Sequence, residues 1–216
     1  EILDCLAQAH LKLAEGQGAE LAWRDSKNLA LEPLDALRIY ALKTAPAFEA
    51  AFFTGARLAG SLDSYREPLK LFARNLGVAF QILNDLKDWE GDNNNKLEAG
   101  ADTLQGRPTL LWALALDALG EEQKVELHRL ATDTEVPAPE RLARVRQLYE
   151  QADVFEKAHR LVDKHQDRAE KIADEIQPDE LRRLLYYLID SVLERGSKPS
   201  APTALQEITD LTQVAS

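Results

Sequence analysis

A chain of 216 residues, 45% hydrophobic and 29% charged, has the make-up of one globular domain with a substantial core, and that balance excludes a disordered or fibrous polymer. Its formal net charge of -11 argues against nucleic acid or an anionic membrane surface as main partner, since both attract clustered Lys and Arg, but says nothing against a small anion bound with metal ions. One cysteine, Cys5, excludes an internal disulfide or a cysteine-rich zinc site, the four histidines lack metal-ligand spacing, and no apolar run reaches the ~18 residues of a membrane span, so a cytoplasmic location is expected.

Period-two alternation nowhere persists long enough for a sheet, and the chain reads as all-α, helices joined by short polar or proline-bearing loops. It opens at Glu1 inside a helical pattern and contains no methionine, as expected of part of a longer translation product. A first helix over 2–15 is expected to stop at Gly16-Gln17-Gly18, because glycine takes the left-handed C-terminal conformation cheaply. A polar stretch, 23–31, follows. Pro33 suits the first turn of the next helix, which runs to Lys43-Thr44 and meets Pro46, where the missing N–H and the ring's clash should kink or break it and free carbonyls near Lys43. The small residues of a helix over 47–62, among them Ala50, Ala51, Gly55 and Ala59, would let a neighbour approach closely.

The next helix starts within 64–67 and continues to about Glu90, after which the Asn-rich stretch 91–96 is expected to form a mobile loop. Residues 109–119 are apolar nearly all round, the pattern of a buried helix. Beyond Gly120 the periodicity gives three amphipathic helices, 139–151, 154–176 and 179–195, with His159 and His165 read as helix-surface residues. One domain is expected over 1–195, with 196–216 as a C-terminal tail.

Between residues 69 and 89 apolar side chains point in most directions, yet Gln81, Asn84, Asp85 and Asp88 recur at helical spacing and form one polar stripe. Buried carboxylates without partners are costly, and magnesium with bound phosphate would serve them: Mg²⁺ takes oxygen ligands and commonly uses one or two carboxylates while the substrate supplies others. Alone, the stripe fits a solvent-facing helix surface equally well. Its context is more specific. Phe80-Gln81-x-x-Asn84-Asp85-x-x-Asp88 is preceded by Gly16-Gln17 and Lys43-Thr44 and followed by Gly91-Asp92, Lys96, Gly100-Ala101-Asp102 and Gly106-Arg107-Pro108-Thr109. This ordered set resembles the trans-isoprenyl diphosphate synthases, or polyprenyl synthetases, whose second aspartate-rich motif is F-Q-x-x-D-D-x-x-D. The likeness runs from about Ala7 to Arg195.

The resemblance implies an isoprenoid-synthase-type helical bundle lacking its N-terminal helices. It makes Asn84, Asp85 and Asp88 ligands of Mg²⁺, and Lys43 and Lys96 the cations that grip an allylic diphosphate. Thr44 and Gln81 would line the reacting centre with Lys43, Phe80 would lie beside the substrates, and Gln17 would be the glutamine of the G-Q motif. Asp102 and Arg107 match the G-x-D and G-K-x-T segments, with Arg in place of Lys, and Asp92 is either a loop residue or a support for a ligand. The implied activity is head-to-tail condensation of isopentenyl diphosphate with an allylic diphosphate by a homodimer, with no role for nucleic acid or membrane insertion.

The chain departs from the family in two respects. Asn84 stands where the family has aspartate, a neutral and weaker magnesium ligand. Asn84, Asp88 and Asp92 also share the spacing of the N-D-x-x-S-x-x-x-E motif of class I terpene cyclases, although its serine and glutamate are absent. The family's first aspartate-rich motif is missing as well, so these residues alone are expected to be inactive. A terpene cyclase and a non-catalytic or regulatory synthase subunit are the alternatives.

Overall fold

The computed structural model describes residues 1–25, 30–60, 64–90, 100–107 and 109–193, and every regular element among them is helical, as expected. The order is α1 (Ile2–Asp25), α2 (Pro33–Lys43), α3 (Ala45–Ala59), α4 (Arg66–Glu90), α5 (Ala101–Leu104), α6 (Leu110–Ala118), α7 (Glu121–Thr132), α8 (Ala138–Gln151), α9 (Val154–Asp174) and α10 (Asp179–Leu193). None of these helices is long and apolar enough to cross a membrane. The loop expected at 91–96 and the tail at 196–216 lie outside the described residues.

Helix α4 is the axis of the fold because it is apolar around most of its circumference. Leu69, Phe72, Ala73, Leu76, Ala79, Ile82, Leu86 and Trp89 are all buried, each large side chain contributing about 1.5–3 kcal/mol of transfer free energy. Helix α9 packs along it, and α2, α3, α6 and α10 cover its other sides. At its C-terminal end Trp89 meets Tyr149 of α8 and Phe155 of α9 at ring-centroid distances of 5.0 and 6.0 Å. A polar tie crosses the α4–α9 contact: Asn75 Nδ2 donates to the Leu71 carbonyl at 2.8 Å, and Asn75 Oδ1 lies 2.9 Å from His165 Nδ1. His165 is therefore not the plain surface residue its sequence position suggests. Burial above all, with the charges of Arg168, Lys164 and Arg74, pushes it down to about 4, and it is neutral at pH 7.

The expected stop at Gly16 does not occur. Helix α1 continues to Asp25 and absorbs the start of the stretch read as polar and irregular. A Cβ on residue 16 would lie 2.8 Å from Leu42 C, Leu42 Cβ and Lys43 N, so the glycine serves close approach of α1 to α2. An interior glycine costs only about 1 kcal/mol relative to alanine, an amount that close packing of two helices offsets. The break at Thr44 does occur, with φ -128° and ψ -48°, and Pro46 falls in the first turn of α3. Helix α7 has no counterpart in the sequence reading. It is mostly polar, with Leu127 and Leu130 its buried positions, too few to make a clear apolar face.

Candidate functional site

The C-terminal end of α2, the C-terminal half of α4 and the segment joining α5 to α6 converge on a cavity of about 180 Å³. The sequence candidates Lys43, Gln81, Asn84, Asp85 and Arg107 line it with Asp102, and Glu20, Tyr40 and Thr109 complete its wall. Because α1 runs unbroken through Gly16, Glu20 comes one turn later onto the same face and reaches Lys43. Lys43 Nζ donates to Glu20 Oε2, with the two side chains 25% and 10% exposed. Beside this pair, Gln81 Nε2 donates to Thr44 Oγ1 at 2.6 Å, fixing two polar side chains at the α2–α3 break.

Asp85 is buried, and both donors that reach it among the described residues go to the same oxygen. Oδ2 accepts from the Tyr40 hydroxyl and, at 3.1 Å, from the Leu110 N–H. The Tyr40 hydroxyl oxygen also accepts from the Leu110 N–H at 2.8 Å. Leu110 opens α6, so its N–H has no intrahelical acceptor, while Thr109 Oγ1 caps the Trp112 N–H at 3.2 Å. Three helices thus meet at one carboxylate. Burial pushes Asp85 up to about 7 against the two hydrogen bonds, and the charges of Asp102 and Asp88 add to the rise.

Asp88, one turn further on, is half-buried, and its Oδ2 accepts from the Asp102 N–H at 3.3 Å. Gly100 makes that approach possible. It adopts a left-handed φ of 83°, its N–H donates to the Asp88 carbonyl at 2.8 Å, and a Cβ there would lie 2.8 Å from Trp89 Cη2. Asp102 Oδ1 in turn pairs with Arg107 Nη1 at 2.8 Å. Asp88 is pushed up to about 6, by burial first and by the Asp102 charge second. Asp85 and Asp88 are therefore short of positive charge, which a bound cation would supply.

The donor set fits a magnesium ion of a particular kind. No cluster of three or more His, Cys, Asp or Glu able to hold a metal by itself occurs among the described residues. Oxygen donors on one wall suit an ion that keeps waters and takes its remaining oxygens from a bound diphosphate. Asn84 is exposed on that wall, and Phe80 is partly buried against the core. Gln17 is exposed on α1 and does not line the cavity; Lys96 and Asp92 lie outside the described residues.

Glu20 and Tyr40 were not among the residues expected at the site, whereas Thr109 closes the Gly106-Arg107-Pro108-Thr109 segment. Tyr40 was within reach, because it precedes Lys43 by three residues and shares its helix face. Glu20 was hidden by the helix stop expected at Gly16. The cap at Thr109 carries the usual Ser/Thr signature just before an apolar run.

An all-helical bundle carrying lysine, glutamine and aspartates of adjacent helices on one polar cavity is the isoprenoid synthase fold. A polyprenyl synthase from Caulobacter crescentus CB15, solved with calcium and isoprenyl diphosphate, superposes with a TM-score of 0.78 at 28% identity over 91% of this chain and 59% of that one. The chain belongs to the polyprenyl synthetase family, whose sequence profile matches residues 1–152. It is 32% identical over 128 residues to the short chain isoprenyl diphosphate synthase of Methanocaldococcus jannaschii, covering 59% of this chain and 38% of that protein. With the all-trans-nonaprenyl-diphosphate synthase (geranyl-diphosphate specific) of Rhodobacter capsulatus it shares 30% over 161 residues, 74% of this chain and 48% of that one. The chain thus spans less than half the length of these two curated relatives.

Proposed function

We propose that this chain is the diphosphate-holding part of a magnesium-dependent prenyltransferase that condenses isopentenyl diphosphate with an allylic diphosphate, acting as a homodimer. The observation that carries the reading is the grouping of Lys43, Gln81, Asp85 and Arg107 around one cavity, with Asp88 hydrogen-bonded to its Asp102 wall. The isoprenyl diphosphate and calcium bound by the Caulobacter relative are what such a set of cations and carboxylates suits.

In this reading the allylic C–O bond breaks with both electrons leaving on the diphosphate, the alkene attacks the allylic cation to form a C–C bond, and a proton is lost. Asp85 and Asp88, with Asn84 as a weaker neighbour, would hold Mg²⁺, which when bound would supply Lewis-acid charge to the departing diphosphate. Lys43 uses one donor on Glu20 and keeps others for phosphate oxygens, and Arg107 adds a second cation to the cavity lining. Gln81 and Thr44 orient each other at the reacting end, with Phe80 as the apolar surface beside it. Lys96 is proposed to join the diphosphate grip. With a single aspartate-rich motif among its 216 residues, the chain by itself is expected not to turn over.

Asn84 favours a second reading, a synthase subunit that binds no metal. Calorimetric titration of the chain with inorganic diphosphate, with and without Mg²⁺, separates the two. The catalytic reading expects magnesium to tighten binding and Asp88→Ala to remove about tenfold or more of that gain. Binding that ignores magnesium supports the subunit reading instead.

A further inference from the structure

The hydroxyl of Tyr40 touches both Asp85 and the start of α6. It donates to Asp85 Oδ2 and accepts from the Leu110 N–H, while the same N–H also reaches Oδ2 at 3.1 Å. All three groups are buried, so solvent competes little for these bonds. A carboxylate on a helix ordinarily swings about its χ2 and offers either oxygen. Here Oδ2 is committed to the protein from two directions, and Asp85 lines the cavity, which leaves Oδ1 as the oxygen it can offer to a cation.

From this triangle we infer that Tyr40 is a positioning residue for the magnesium–diphosphate site: its hydroxyl locks the carboxylate of Asp85 so that one defined oxygen is presented to the cation. The inference rests on the functional reading above and goes beyond it, since Tyr40 touches neither phosphate nor metal in that reading. Without that hydroxyl, Asp85 Oδ2 would keep only the 3.1 Å bond from the Leu110 N–H, and Leu110 would lose its nearer acceptor. The arrangement costs a long-range connection, 45 residues from Tyr40 to Asp85 and 70 to Leu110, so it fixes α2, α4 and α6 relative to one another at the point where the cavity opens.

A double-mutant cycle on the whole chain tests it, with inorganic diphosphate and Mg²⁺ as the probes and calorimetric affinity as the readout. Tyr40→Phe is expected to weaken magnesium-dependent diphosphate binding about tenfold while leaving magnesium-free diphosphate binding unchanged. In an Asp85→Asn background the same exchange is expected to cost nothing further. Equal losses with and without Mg²⁺, no loss at all, or an undiminished loss in the Asp85→Asn background would each overturn the positioning role. If Asp85→Asn itself leaves magnesium dependence intact, the metal reading fails, and Tyr40 with it. A measurement on the unmodified chain is independent of how the variants fold: with ¹³C-labelled tyrosine, the Tyr40 ring signal is expected to shift on adding Mg²⁺ and diphosphate together but not diphosphate alone. An unmoved signal contradicts the proposal.

Discussion

Asp85 holds its place through Tyr40 and Leu110, yet burial still keeps it near pH 7, against an ordinary 3.8. The sign of the resulting pH dependence follows from linkage. Between about 4 and about 7 the folded chain binds a proton at Asp85 that the unfolded chain has lost, so this carboxyl makes stability fall as pH rises through that window. Asp88, pushed up to about 6, acts in the same sense over a narrower range. His165, pushed down to about 4, acts oppositely below its ordinary value of 6.5, so the raw curve mixes the two. Comparing thermal midpoints of the parent and Asp85→Asn from pH 4 to 7, without divalent cation, isolates the effect. The variant is expected to gain on the parent steadily as pH rises, and parallel curves would show that Asp85 is not the group responsible.

At the level of the helices, α1 and α4 illustrate what a linear pattern can and cannot convey. The stripe of Gln81, Asn84, Asp85 and Asp88 was readable because helical spacing alone puts those positions on one face, and the buried surroundings of α4 followed from its apolar residues. Glycine at position 16 carried two meanings, a C-terminal stop or a close approach, and only the neighbouring helix decides between them. With the stop removed, Glu20 joins the cavity wall and Lys43 acquires its partner. Tyr40 was visible as a face-mate of Lys43, but its bond to Asp85 spans 45 residues, a distance in sequence that no local pattern encodes. Helix α7 was missed for a different reason, since a helix held mainly by Leu127 and Leu130 shows almost no apolar period. The close α1–α2 contact makes a definite prediction. Gly16→Ala should push the helices apart and cost about 1–3 kcal/mol in denaturant unfolding, because backbone atoms of Leu42 and Lys43 lie 2.8 Å from the new methyl. Unchanged stability would mean that α1 can shift freely along α2.

The described residues form a helical bundle in which one cavity brings Lys43 and Arg107 together with the carboxylates of Glu20, Asp85 and Asp102. Its polyprenyl synthetase relatives are longer proteins, and the matched segments cover 38% and 48% of two of them. What this chain contributes by itself is the wall built from α1, α2, α4 and the α5–α6 segment, and the central claim is that this wall binds a diphosphate together with a divalent cation. The most direct check is a crystal structure of the chain grown with manganese and an unreactive allylic diphosphate analogue, with anomalous diffraction used to locate the metal. An anomalous peak is expected in contact with Asp85 Oδ1 or Asp88, bridged by diphosphate oxygens to Lys43 and Arg107. Diphosphate bound elsewhere, or bound in this cavity with no metal peak beside those aspartates, would contradict the claim.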